Sequence, residues 1–163
     1  MSVYAFYIFD RHTECIYTKR WTPQPPLQAQ KASSAPNGHL STATRRAMKA
    51  EDDAKLIFGT IFSLRRMCRQ LGGEDDQFLS YRTGEYKMHY FETPTQLKLV
   101  MLTDTRVGNM RTVLHQIWAT LYVEFVVKSP LAGVEHPKGA GVANELFEGG
   151  LETFIASIFH PQQ

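Results

Sequence analysis

Two short segments of this chain are apolar on both of their alternating faces. Val3 to Phe9 puts Val3, Ala5, Tyr7 and Phe9 on one side and Tyr4, Phe6 and Ile8 on the other. Leu97 to Thr103 repeats the pattern, with Leu97, Leu99 and Met101 opposed by Val100 and Leu102. A strand sends successive side chains to opposite faces, so such a strand must be covered above and below. The two segments are therefore expected side by side at the centre of a sheet with helices on both sides.

The remaining segments fill in around them. Asp10 to Glu14 is a polar turn, and Cys15 to Trp21 is a second strand that Lys19 and Arg20 assign to an edge. Residues 22 to 50, rich in Pro, Ala, Ser, Thr and Gln, predict an exposed loop ending in the basic cluster Arg45, Arg46 and Lys49. Glu51 to Leu71 predicts a helix. Its acidic first turn suits the dipole, its apolar stripe is Ile57, Ile61, Leu64, Cys68 and Leu71, and Gly72 and Gly73 stop it. Phe78 to Arg82 and Tyr86 to Thr93 are two further strands, the second broken by Pro94. Asn109 is the expected cap of a second helix, with the stripe Val113, Leu114, Ile117, Leu121 and Phe125, ended by Ser129 and Pro130. A last helix carries Phe147, Leu151, Phe154, Ile155 and Ile158, and Gly149 and Gly150 weaken it by roughly 1 kcal/mol each against Ala. The order β-β-α-β-β-β-α-α predicts one domain over residues 1–163: an antiparallel sheet in an α/β/α sandwich, one helix on one face and two on the other.

Bulk properties narrow the function classes. The 163 residues suit a single domain, and 43% hydrophobic residues suffice for a core without staples. A net charge of +2 does not imply a nucleic acid, and Tyr81, Tyr86 and Tyr90 lack clustered basic neighbours for base stacking. Cys15 and Cys68 lack paired spacing, which favours a reducing cytosol over a disulfide. The apolar N-terminal run is cut short by Asp10 and Arg11, and Ile117 to Val127 is too short for a bilayer, so a soluble chain without a targeting segment is expected.

Chemistry-bearing residues are scattered. The six histidines share no metal-binding spacing, and no phosphate-binding GxxxxGK[ST] motif occurs, so neither metal nor cofactor is expected. Lys138 to Glu145 carries a fragment of a dinucleotide fingerprint, but Asn144 stands at its third glycine and no strand precedes it. Asp75 and Asp76 read as a solvated loop. His12 and Cys15 are the one base and thiol pairing worth weighing, as a small independent thiol enzyme, though no orienting group or oxyanion donor accompanies them.

Three stretches, Tyr7 to Tyr17, Tyr86 to Thr95 and Leu121 to Leu131, occur in an order and spacing that resembles the longin-type subunits of the TRAPP (transport protein particle) complex. The likeness is to the smallest, Bet-five type, related to sedlin and synbindin. It covers Val3 to Trp21 and Glu51 to about Phe159. Residues 22 to 50 depart from it as an insertion, and Gly149 and Gly150 stand where helix formers are expected. The resemblance implies a longin fold with sheet order 2-1-5-4-3 and a non-enzymatic subunit without cofactor. It implies partnership with other TRAPP subunits, among them a synbindin-type one, in a platform that promotes nucleotide exchange on a Rab-family GTPase. It also implies work in traffic from endoplasmic reticulum to Golgi, in the cytoplasm and peripherally on those membranes.

Such a subunit needs outward contact surfaces. The second face of the long helix holds Gly59, Ser63, Arg66 and Gln70 flanked by Phe58 and Phe62, pairing close backbone approach with aromatic and arginine anchors. In the sheet order that the resemblance implies, the third strand, Phe78 to Arg82, lies at an edge open to a partner strand, with Phe78 and Tyr81 as its contact residues. Arg65, Arg66 and Arg69 either complement the helix dipole or meet an acidic GTPase surface.

Overall fold

A computed structural model describes residues 2–21, 42–74, 77–133, 135–136 and 141–159, with backbone alone for 42–48. The expected loop at 22–41, the side chains of Arg45 and Arg46, the Asp75 and Asp76 pair, and Lys138 to Ala140 lie outside those residues. The chain divides into two compact units, residues 1–23 with 79–163, and residues 24–78.

The first unit holds five strands: β1 (Val3–Phe9), β2 (Cys15–Arg20), β3 (Ser80–Arg82), β4 (Lys87–Glu92) and β5 (Lys98–Thr103). They form one antiparallel sheet of order β2-β1-β5-β4-β3. This is the sheet order 2-1-5-4-3 that the resemblance implies. The doubly apolar segments lie together at its centre: Phe6 faces Met101, Tyr7 faces Val100 and Ile8 faces Leu99 in the register. Ala5, Phe6, Tyr7, Ile8, Leu99, Val100, Met101 and Leu102 have no solvent exposure. Sequence polarity thus places these two strands in the interior of the sheet, where β4 joins them with Met88, His89, Tyr90 and Phe91 buried on its alternating faces.

One sheet face packs on the last two helices. α2 (Arg111–Gln116) runs without a break into a π-helical segment, Ile117–Val127, and α3 (Glu145–Phe159) follows. Phe6, Ile8, Phe91, Leu99 and Met101 from the sheet meet Leu114, Ile117, Tyr122, Val126, Phe147, Leu151 and Ile155 from the helices. The wider turns of the π-helical segment, seen in the Lys128 N–H donated to the Val123 carbonyl at 3.0 Å, change the inward stripe. A three-and-four spacing predicts Leu121 and Phe125 inward; instead Tyr122 and Val126 are buried, and Leu121 and Phe125 lie at the margin.

Asparagine side chains hold the starts of both helices, one of them a residue later than the expected cap. α2 starts after Met110, and Asn109 Oδ1 accepts the N–H of Arg111 at 2.9 Å. Asn144 caps α3 by accepting the N–H groups of Leu146 and Phe147, while its amide donates to the Phe125 carbonyl. Gly150 is no defect: a Cβ there would stand 2.9 Å from Leu121 Cδ2, so α3 approaches its neighbour through it. Gly149 faces open space.

The second unit is dominated by α1 (Thr42–Gly72). It begins nine residues before the expected Glu51, because residues 42–50 are Ala, Arg, Lys and Met rich and favour helix without an apolar stripe to announce it. Glu51, Asp52 and Asp53 therefore lie beyond the first turn, and the dipole argument for them lapses. Gly73, at φ 97°, ends the helix in the left-handed conformation, its N–H donated to Arg69.

Candidate partner interface

Helical spacing divides the surface of α1 into stripes. Ala54, Ile57 and Ile61 are buried and Leu64 and Cys68 half-buried, as the periodicity predicts. Leu71, assigned to the same stripe, is instead 83% exposed. It belongs to a flank with Leu56, Thr60 and Met67, of which Leu56 and Met67 are also more than half exposed. The opposite flank carries Phe58, Phe62, Arg65 and Arg69. Phe58 is half-buried, Phe62 is 58% exposed, and their rings stack at 6.3 Å. Gly59, Ser63, Arg66 and Gln70 form an exposed ridge between the flanks, and Gly59 has nothing within 4 Å of an added Cβ.

The element is also strongly cationic. α1 holds seven basic and three acidic residues, a net of +4 in a chain whose total is +2. Lys55 is paired with Glu51 at 2.8 Å, whereas Arg66 and Arg69 make no ion pair among the described residues.

The expected sheet-edge site is partly corrected. β3 begins at Ser80, not Phe78, and Phe78 is 8% exposed, too buried to anchor a partner. Tyr81, at 37%, is accessible. The Leu79 carbonyl accepts from Tyr90 and the Thr83 N–H is donated to Tyr86, so these residues turn toward β4. By antiparallel alternation the backbone groups of Ser80 and Arg82 point outward, along an open edge. At the other edge the Val142 N–H closes on the Ile16 carbonyl at 2.7 Å, and Lys19 of β2 pairs with Glu148 and Glu152 of α3.

The thiol and imidazole weighed as a catalytic pair are not joined. The Cys15 thiol is pushed up to about 11 by burial and donates to the Tyr17 carbonyl. His12 Nε2 instead accepts from Arg11 Nε at 3.2 Å. A thiol raised that far is a poor nucleophile near neutrality. Inside the sheet unit, His89 is 1% exposed; its Nε2 lies 2.9 Å from Thr103 Oγ1 and its Nδ1 has no partner among the described residues. Burial, then the charge of Lys87, lowers its pKa to about 4, so it stays neutral. Among the described residues no helix is long and apolar enough to cross a membrane.

Sequence reasoning missed Leu56, Met67 and Leu71. Their four, seven, four spacing (with Thr60) was a usable signal, masked because Leu71 also fits the buried stripe.

Comparison with known proteins adds a lineage. The model of the Sybindin-like family matches residues 3–158. "Transport protein particle subunit bet5" of Schizosaccharomyces pombe is 39% identical over 160 residues, covering 97% of this chain and 98% of its own. "Trafficking protein particle complex subunit 1" of Rattus norvegicus is 38% identical, with 97% and 94% covered. "Trafficking protein particle complex subunit BET5" of Saccharomyces cerevisiae is 34% identical over 169 residues, with 97% and 98% covered.

Proposed function

The chain belongs to the Sybindin-like family, and from that premise we propose that it is a non-catalytic core subunit of a TRAPP-type tethering complex. In this reading it acts as a single longin-type domain. It pairs with other small subunits, a synbindin-type one among them, to form a platform that promotes nucleotide exchange on a Rab-family GTPase during ER-to-Golgi transport. It works in the cytoplasm and peripherally on Golgi and ER membranes. The observation that carries the reading is the apolar surface left outside α1. Leu56, Phe62, Met67 and Leu71 are each more than half exposed on one helix, and such a concentration marks a surface meant for another protein. The glycine and serine ridge suits close backbone approach, and Arg66 and Arg69 suit an acidic partner. The open edge at Ser80 and Arg82, with Tyr81 beside it, offers a second contact.

Co-expression with sister subunits tests this. Phe62→Ser and Leu71→Ser should each leave the melting temperature of the isolated chain nearly unchanged, since exposed substitutions move stability by less than about 0.5 kcal/mol. Together they should strip the chain from the co-purified complex, and exchange activity should fall only in step with lost assembly. Full retention of every partner by the double variant would refute the assignment of this surface.

A further inference from the structure

Within the sheet unit, beside the Asp10 to Glu14 turn, a cleft of about 400 Å³ opens. Leu97, Trp118, Tyr122, Val126 and Ala132 form apolar walls, and Asp10 stands among them. The size is that of an ordinary ligand cavity. Asp10 is only 6% exposed. Its Oδ1 accepts the Glu14 N–H at 2.9 Å, but its Oδ2 has no hydrogen bond or ion pair among the described residues. The adjacent cation does not serve it: the Arg11 guanidinium is paired with Glu135, and its Nε donates to His12. The negative charge is felt across the cleft, where, after burial, it helps push the Tyr122 hydroxyl up.

Arg11, His12, Thr95, Glu135 and His136 give the cleft a polar mouth, and the second oxygen of Asp10 opens to it rather than being sealed. A mostly buried carboxylate facing apolar walls in this way favours a cation that brings its own donors. Its surroundings say what carries that cation. Val127 at the rim is 64% exposed, and a neighbouring cleft of about 620 Å³ shares Val126 and Ala132 and continues to Leu131, which is 95% exposed. A free hydrated ion gains nothing from such a rim, whereas a peptide with apolar neighbours does.

We propose that this cleft receives an arginine side chain from an apolar partner segment, with the guanidinium on Asp10 Oδ2 and its plane against Trp118. The flanking residues of that segment lie over Val127 and toward Leu131. Arginine is favoured over lysine because a planar guanidinium satisfies a carboxylate and stacks on an indole at once. The site is distinct from the α1 surface and does not depend on it.

The test is an NMR titration of the isotope-labelled full chain with the tripeptide acetyl-Leu-Arg-Phe-amide and its neutral citrulline counterpart. The arginine peptide should bind with a Kd of about 0.1 to 1 mM, moving the Trp118 indole N–H and the amides of Asp10 to Glu14. The citrulline peptide should bind at least about tenfold more weakly. Asp10→Asn keeps the acceptor for Glu14 and removes the charge, so it should lose the same tenfold with an otherwise unchanged spectrum. Val127→Lys, at an exposed position, should weaken binding by supplying a rival cation. Equal affinity for both peptides overturns the proposal, as does undiminished binding by Asp10→Asn. So does the absence of shifts at this cleft up to about 10 mM peptide. Since the titration reads the chain alone, its failure leaves the assembly reading standing, and loss of the assembly reading leaves the cleft untouched.

Discussion

Apart from Leu146, which is 67% exposed, α3 turns its large aliphatic and aromatic residues inward or to the margin: Phe147 and Leu151 are fully buried and Ile155 is 4% exposed. α1 is poorer in large apolar residues, nine in 31 against seven in 15, yet Leu56, Phe62, Met67 and Leu71 stay outside. One helix completes a core and the other keeps surface in reserve. The contrast separates two uses of the hydrophobic effect. Burial in α3 stabilises the folded chain itself, whereas the apolar area on α1 stays in water and is the surface proposed above for a partner. Substitutions on the two helices should therefore fail in different assays.

The largest expected effect lies on the buried side. Phe147→Ala should destabilise the chain by about 3 to 5 kcal/mol, read as a drop in the urea midpoint. Phe147 stands edge-on to Tyr17 at 5.0 Å and to Tyr122 at 6.2 Å, so its loss leaves a cavity no neighbour fills. A loss no greater than that of Phe62→Ser would erase the distinction between the helices.

A smaller effect comes from acid. Unfolded histidine takes up a proton near pH 6.5, whereas His89 in the folded chain resists until about pH 4. The unfolded state thus binds more protons between those values, and stability falls as pH drops through that window while remaining level above it. His89→Gln should flatten this part of the stability profile. An unchanged slope in the variant would show that His89 is not the group responsible.

The smallest effects sharpen the contrast within α3. Gly149→Ala meets open space and should stabilise by about 0.5 to 1 kcal/mol. Gly150→Ala pushes a methyl against Leu121 and Phe125, and the crowding should outweigh the helical gain, for a net loss of about 1 kcal/mol. Opposite signs at adjacent glycines, measured as denaturant midpoints at constant slope, would place the helix contact at Gly150 alone.

The sheet was legible because a doubly apolar strand has few places to go: Val3–Phe9 and Lys98–Thr103 announced their central position in residue types alone. The start of α1 was not, since Ala, Arg and Lys carry helical propensity without periodicity. The π-helical segment was hidden for the opposite reason. Its apolar residues are so dense that a regular spacing fits them, and Leu121 and Phe125 were chosen where Tyr122 and Val126 go in. At the partner surface, Phe58 and Phe62 could be read from the helix face, but Leu71 could not, because spacing alone does not tell where a core stops. Asp10 looked like an ordinary turn residue; only the walls brought to it from distant parts of the chain make it a binding feature.

The two margins of the sheet are unequal. One is closed at a single point, where Val142 meets Ile16, and the other has no strand against Ser80 and Arg82 among the described residues. A guest strand therefore meets less obstruction at the second margin than at the first, where Gly141 and Val142 already lie against Ile16. What a guest would gain at that second margin is the set of backbone hydrogen bonds that Ser80 and Arg82 leave pointing outward.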